Sequence, residues 1–125
     1  MQSSASREKK ILVVDDDPDI LDFLHDLLEL EGFAVSVSAK GDYLEQLHNG
    51  GLPELILLDV FLSGRDGREI VKSLKNQQET RQIPVIMFSA HPSAEEAARA
   101  AGADDFLAKP FARDELLAMV HAFLL

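Results

Sequence analysis

Asp15, Asp16 and Asp17 follow directly on the strand-like run Lys10–Val14, and Asp59 follows directly on Leu55–Leu58. Continuous apolar runs of this length suit strands buried on both faces, which places these carboxylates at the rim of a sheet. Asp17 has an ordinary task, since it precedes Pro18 and Asp19 and can cap a helix whose first position is proline. Asp15 and Asp16 have no such task. If the first and third strands are neighbours, they converge on Asp59. Two carboxylates about 5 Å apart repel by roughly 3 kcal/mol at an effective dielectric near 20. A divalent cation relieves that repulsion, and oxygen donors without His or Cys suit Mg²⁺. The acids alone leave this reading level with that of scattered surface carboxylates.

Two further residues stand at the same rim. Ser89 ends the run Val85–Phe88, and Lys109 follows Asp105–Ala108. Alone, a loop serine is an ordinary turn residue and a loop lysine an ordinary solvated cation. With the acids they make a carboxylate nucleophile, a metal, a hydroxyl donor and an ammonium, a set suited to receiving a phosphoryl group.

The elements that must position these residues alternate five times between short apolar runs and longer helical patterns. The strands are expected at Lys10–Val14, Phe33–Val37, Leu55–Leu58, Val85–Phe88 and Asp105–Ala108. Between them, Ile20, Phe23, Leu24, Leu27 and Leu28 form one helical stripe, ended by Gly32. A second helix is expected over Asp42–His48, a third around Ile70, Val71 and Leu74, and a fourth over Ser93–Ala101. The fifth carries Leu116, Leu117, Val120 and Phe123, whereas the fourth is rich in alanine and thinly anchored. Repeated βα units predict a doubly wound α/β parallel sheet with helices on both faces. Ligands of such sheets bind beyond the carboxyl ends of the strands, where the candidate residues stand.

Bulk properties narrow the classes. A chain of 125 residues, 46% hydrophobic, suits one core; residues 1–9 read as a disordered polar leader and 10–125 as one domain. No apolar run is long enough to span a bilayer, and the start lacks the apolar segment of a secretory signal. The chain has no cysteine, which excludes disulfides and thiolate metal sites. A net charge of −10 opposes direct nucleic-acid binding. These features together predict a cytoplasmic protein.

Val13-Val14-Asp15-Asp16-Asp17, Leu57-Leu58-Asp59, Phe88-Ser89-Ala90 and Lys109-Pro110-Phe111 resemble, in order and spacing, the four signatures of response-regulator receivers. The similarity runs from Lys10 to Leu125. It implies a flavodoxin-like fold with strand order 2-1-3-4-5 and a role in two-component signalling. It further implies that Asp59 is the phosphoacceptor, and that Asp15 (through water), Asp16, Asp59 and the Phe61 backbone carbonyl hold Mg²⁺. Ser89 and Lys109 then contact the phosphoryl oxygens, Ser89 and Phe106 act as the switch, and Phe61 and His91 overhang the site. The implied donor is a phosphohistidine on a sensor histidine kinase or phosphotransfer protein. The implied output surface, for a protein partner or a second copy, is the face of the fourth helix, fifth strand and fifth helix. No catalysis is implied beyond self-phosphorylation and autodephosphorylation. The resemblance also predicts a cis Lys109–Pro110 bond. Since the fifth helix closes the chain, a stand-alone regulator or a phosphorelay intermediate is expected.

Three departures matter. Family members commonly carry a proline where this chain has Ser63, which is expected to loosen the loop before Asp66-Gly67. Asp66 with Glu69 makes a helix cap and needs no catalytic role. Phe106 replaces a frequent tyrosine and lacks its hydroxyl. His25, His48 and His121 read as ordinary helix-surface residues. A phosphatase of the haloacid-dehalogenase type is the enzymatic rival, with Asp15-x-Asp17, Ser89, Lys109 and Asp104-Asp105 as its motifs. Its acid pair, however, precedes the lysine, and the chain has no room for a cap domain. A flavodoxin-like electron carrier fails because Asp15–Asp17 repel a flavin phosphate. A receiver-shaped adaptor independent of phosphorylation is distinguished by partner binding that survives Asp59→Ala.

Overall fold

The computed structural model describes residues 8–40 and 51–125. Residues 1–7 of the leader expected over 1–9, and the expected helix Asp42–His48 with His48, lie outside the described residues; residues 8 and 9 are exposed and belong to no strand or helix.

The chain runs through β1 (Lys10–Val14), α1 (Pro18–Leu30), β2 (Ala34–Ser38), β3 (Leu55–Asp59) and a short hairpin, β4 (Phe61–Leu62) and β5 (Arg65–Asp66). It continues through α2 (Gly67–Lys75), β6 (Val85–Ser89), α3 (Ala94–Ala101), β7 (Asp105–Ala108) and α4 (Arg113–Leu124). The principal sheet has five strands in the order β2-β1-β3-β6-β7, every neighbouring pair parallel. This is the expected 2-1-3-4-5 order, because β6 and β7 are the fourth and fifth strands of the sheet.

Alternation along the strands builds two cores. Leu12, Val14, Ile56, Leu58, Val85 and Met87 face one side with Ile70, Val71 and Leu74 of α2 and Ala94 and Ala98 of α3. Ile11, Val13, Leu55, Leu57, Ile86 and Phe88 face the other with Leu24, Leu27 and Leu28 of α1 and Leu116, Leu117 and Val120 of α4. The central strands are buried on both faces, which is why their sequences read as unbroken apolar runs.

Several boundaries and faces differ from expectation. β2 spans Ala34–Ser38 rather than Phe33–Val37; the Phe33 amide donates to the Leu28 carbonyl at 3.2 Å and so belongs to the helix exit. Gly32, with φ +97°, makes the left-handed turn that stops α1. In α1 the buried stripe is Leu21, Leu24, Leu27 and Leu28, while Phe23 is 47% exposed. Positions 21, 24 and 28 follow the three-and-four spacing of one helix face, and position 23 falls beside it. In α4, Leu124 is buried and Phe123 only packs against the core edge. Helix α3 is better seated than its composition suggests, since Ala94, Ala98 and Ala101 are all buried; small side chains let the helix lie close to its neighbours.

Local chemistry sets the helix starts. The Asp17 carboxylate accepts from the Asp19 amide at 3.0 Å, with Pro18 in the first turn. The Asp66 carboxylate accepts from the Arg68 amide at 2.9 Å and starts α2 in the same way. Gly67 is required by close approach. Its amide donates to the Val60 carbonyl at 2.7 Å. A Cβ there would collide with the Asp59 and Val60 carbonyl oxygens. No described helix is long and apolar enough to cross a membrane.

Candidate functional site

The strand register brings the sequence candidates to one rim. Val14 pairs with Leu58, so Asp15 and Asp16 leave β1 beside Asp59 at the end of β3. Asp59 pairs with Phe88, and Ser89 pairs with Ala108, so Ser89 and Lys109 stand one step beyond on the adjoining strands. Carboxylate oxygens of Asp15, Asp16 and Asp59 lie within 4.8 Å of one another. Asp15 is fully buried, Asp59 nearly so, and Asp16 partly exposed.

Lys109 holds this cluster together. Its ammonium donates to Asp15 Oδ2 at 2.8 Å and stands 3.5 Å from Asp59 Oδ2. It also lies 4.9 Å from the centre of the Phe88 ring, a cation–π contact. The Lys109 amide donates to the Ser89 carbonyl at 2.8 Å, and the Lys109–Pro110 bond is cis, as expected. The other Asp15 oxygen accepts the Asp17 amide at 2.9 Å. Asp59 Oδ1 accepts the Phe61 amide at 3.3 Å.

These partners do not fully compensate Asp59. Burial, and next the neighbouring Asp15 charge, push its carboxyl up from 3.8 to about 6, against the opposing pull of Lys109. Asp16 goes the other way. The Ser63 hydroxyl donates to Asp16 Oδ2 at 2.5 Å and the Ser63 amide to the same oxygen at 2.9 Å. The hydroxyl bond is the main cause that holds Asp16 below the usual carboxylate range. The expectation that Ser63 loosens this loop is therefore corrected. Proline offers no N–H and no hydroxyl, whereas Ser63 supplies both and ties the loop down.

The remaining candidates fall where the sequence placed them, with one addition. Ser89 is buried, and its Oγ accepts the His91 amide at 3.0 Å. Phe106 is 8% exposed and packs into the core shared with α2 and α3, so its ring points inward. Phe61, 46% exposed, meets the His91 ring edge-on with centroids 5.4 Å apart. Arg68, which the sequence did not single out, carries its guanidinium 5.8 Å from the Phe61 ring centre. Asp66 fixes that guanidinium through bonds of 2.7 and 2.9 Å. The only signal in the sequence was the Asp66-x-Arg68 spacing next to a helix start.

Asp104 and Asp105, the late acids of the phosphatase alternative, stand at the far rim, at the start of β7. Asp104 Oδ2 accepts the Lys75 ammonium at 2.9 Å and the Val85 amide at 2.8 Å, and Asp105 pairs with Arg99 at 3.0 Å. His25 bonds Asp26 at 3.1 Å, and His121 lies 3.7 Å from Glu31 on the helix surface.

The donor set of the acid cluster is all oxygen, which fits a hard divalent cation such as Mg²⁺. Without one, the raised carboxyl makes Asp59 a cost to the fold. The folded form holds the proton more tightly than the unfolded chain, so the penalty is absent below about pH 4. It grows as pH rises toward 6 and is full above that. A shift from 3.8 to about 6, discounted for partial solvent access, corresponds to about 1 to 3 kcal/mol. In chelator, Asp59→Asn is therefore expected to be more stable than the parent at pH 8 and nearly equal at pH 4. Urea unfolding at both pH values measures this, and a variant that is less stable at pH 8 contradicts it.

Comparison with known proteins agrees with this geometry. The family model for the response regulator receiver domain matches residues 11–121. The phosphate regulon transcriptional regulatory protein PhoB of Rhizobium meliloti is 40% identical over 92% of the chain and 52% of its own length. The transcriptional regulatory protein CpxR of Escherichia coli is 40% identical over 92% of the chain and 49% of its own length. The chain thus spans about half the length of these curated relatives. Among solved structures, the chemotaxis response regulator CheY4 of Vibrio cholerae superposes with a TM-score of 0.83 at 27% identity, covering 94% of this chain and 99% of that one. With sequence motifs, strand order and site geometry in agreement, the chain belongs to the response regulator receiver domain family.

Proposed function

We propose that this receiver accepts a phosphoryl group on Asp59 from the phosphohistidine of a sensor histidine kinase or phosphotransfer protein. The observation that carries the reading is one ammonium shared between two buried carboxylates. Lys109 lies 2.8 Å from Asp15 and 3.5 Å from Asp59, beside a third acid within 4.8 Å. An Asp59 oxygen attacks phosphorus as the bond from phosphorus to the imidazole nitrogen breaks, which leaves an acyl phosphate on the protein. Asp15, Asp16, Asp59 and the Phe61 carbonyl are the groups to hold Mg²⁺, which would neutralise charge on the transferring oxygens. Lys109 supplies the second positive charge, and the Ser89 hydroxyl a donor on the adjoining strand.

The output follows from packing. Ser89 ends β6, and Phe106 lies on β7 opposite Met87. Drawing Ser89 toward a phosphoryl group would shift the β6–α3 connection and the pocket that holds Phe106. The surface of α3, β7 and α4 is then the face that reports phosphorylation to a protein partner or a second copy. The protein acts as a cytoplasmic signalling element, with no catalysis beyond its own phosphorylation and dephosphorylation.

The test is incubation with acetyl phosphate and intact-mass measurement. One phosphoryl adduct is expected in Mg²⁺, with none in chelator and none in Asp59→Asn. A full adduct in either control contradicts the assignment.

The lifetime of the adduct depends on access of water. Phe61 touches the edge-on His91 ring and the Arg68 guanidinium, and a phenyl ring excludes water without orienting it. Following the adduct over time, Phe61→Asn is expected to shorten its lifetime several-fold, and His91→Ala to change it less. An unchanged or longer lifetime in Phe61→Asn shows that the ring does not guard the site.

A further inference from the structure

The hairpin β4–β5 reaches back across the site. Leu62 pairs with Arg65, so Ser63 and Gly64 form its tip, and Gly64 adopts φ +75°. From that tip both Ser63 donors converge on one oxygen, Asp16 Oδ2, of a residue 47 positions earlier in the sequence. A serine that merely finished a turn would bond within its own loop. Two donors on one oxygen fix the rotation of the carboxylate and leave Oδ1 outside the contact. Without them Asp16 is a partly exposed side chain on a loop, free to turn through solvent.

We infer that Ser63 is a positioning residue that presets the Asp16 carboxylate to receive a divalent cation. The inference rests on the reading of Asp15, Asp16 and Asp59 as a Mg²⁺ site and adds to it the device that orients its most exposed acid. Outer partners that orient a metal-binding carboxylate are generally worth roughly 10- to 100-fold in affinity. Hydrogen bonds also make a carboxylate a weaker donor, so orientation and basicity act in opposite directions. Orientation dominates here because Asp16 is the acid of the three with the least burial to hold it in place. Asp15 is already fixed by Lys109 and the Asp17 amide, and Asp59 by the strand it ends.

The test is titration of the whole chain with Mg²⁺, followed by backbone amide NMR shifts around the acid cluster, alongside thermal melting in chelator. Ser63→Ala keeps the amide and loses the hydroxyl, and is expected to bind Mg²⁺ about 10-fold more weakly. Ser63→Thr keeps both donors and is expected to restore the parental affinity. A Ser63→Ala protein that melts lower in chelator but binds Mg²⁺ as the parent does overturns the inference and leaves Ser63 a loop anchor. So does a Ser63→Thr protein that binds as weakly as Ser63→Ala. If the parent shows no Mg²⁺-dependent shifts, the metal reading fails, and this inference with it.

Discussion

Two carboxylates buried side by side, with one ammonium between them, set the terms for the rest of the molecule. Asp15 is fully buried, Asp59 nearly so, and Lys109 reaches both. Burial first, and next the Asp15 charge, raise the Asp59 carboxyl, and the single positive charge of Lys109 does not offset them. A fold that keeps such a pocket holds an unfavourable arrangement that a bound cation would relieve. In the function proposed above, that imbalance is what would make the site responsive to charge.

The scaffold is built to hold the three groups at fixed distances. Parallel pairing of β1 with β3, and of β6 with β7, sets the spacing at the rim to within a residue, and the two cores prevent slippage. A slip of one residue would turn every buried strand side chain to the wrong face. Loops refine what the strands set. Gly67 lets α2 start against the backbone of Asp59 and Val60. The Asp66–Arg68 pair then places a guanidinium against the Phe61 ring face. Lys109 packs over Phe88, so the cation of the site and the core beneath it share a surface. Site and core are therefore coupled through contacts rather than through distance.

Much of this was legible in the sequence because it depends on period and position. Unbroken apolar runs marked the central strands, and each candidate group stood immediately after one. Asp17 and Asp66 read as caps because capping is local chemistry, and both accept the amide two residues on. What stayed hidden depends on residues far apart. The two-residue strands β4 and β5 are too short to show alternation. The exposure of Phe23 and burial of Leu21 follow from which side of α1 meets the sheet, and a run with apolar residues at 20, 21, 23 and 24 leaves that open. Ser63 was read only as a missing proline. Its partner, Asp16, is brought to it by the return of the hairpin across the rim, and nothing in the local sequence announces that contact.

The central claim is that the charge at this rim is under-compensated until a cation enters. The most direct measurement is a pH titration of the Asp59 side-chain carboxyl carbon by ¹³C NMR, in chelator and in saturating Mg²⁺. In chelator, the Asp59 carboxyl is expected to titrate in a step near pH 6. In Mg²⁺ that step is expected to move well below the ordinary carboxylate range, because a bound cation favours the ionised form. Titration of Asp59 at or below the ordinary carboxylate value in chelator, with no change on adding Mg²⁺, would contradict the account.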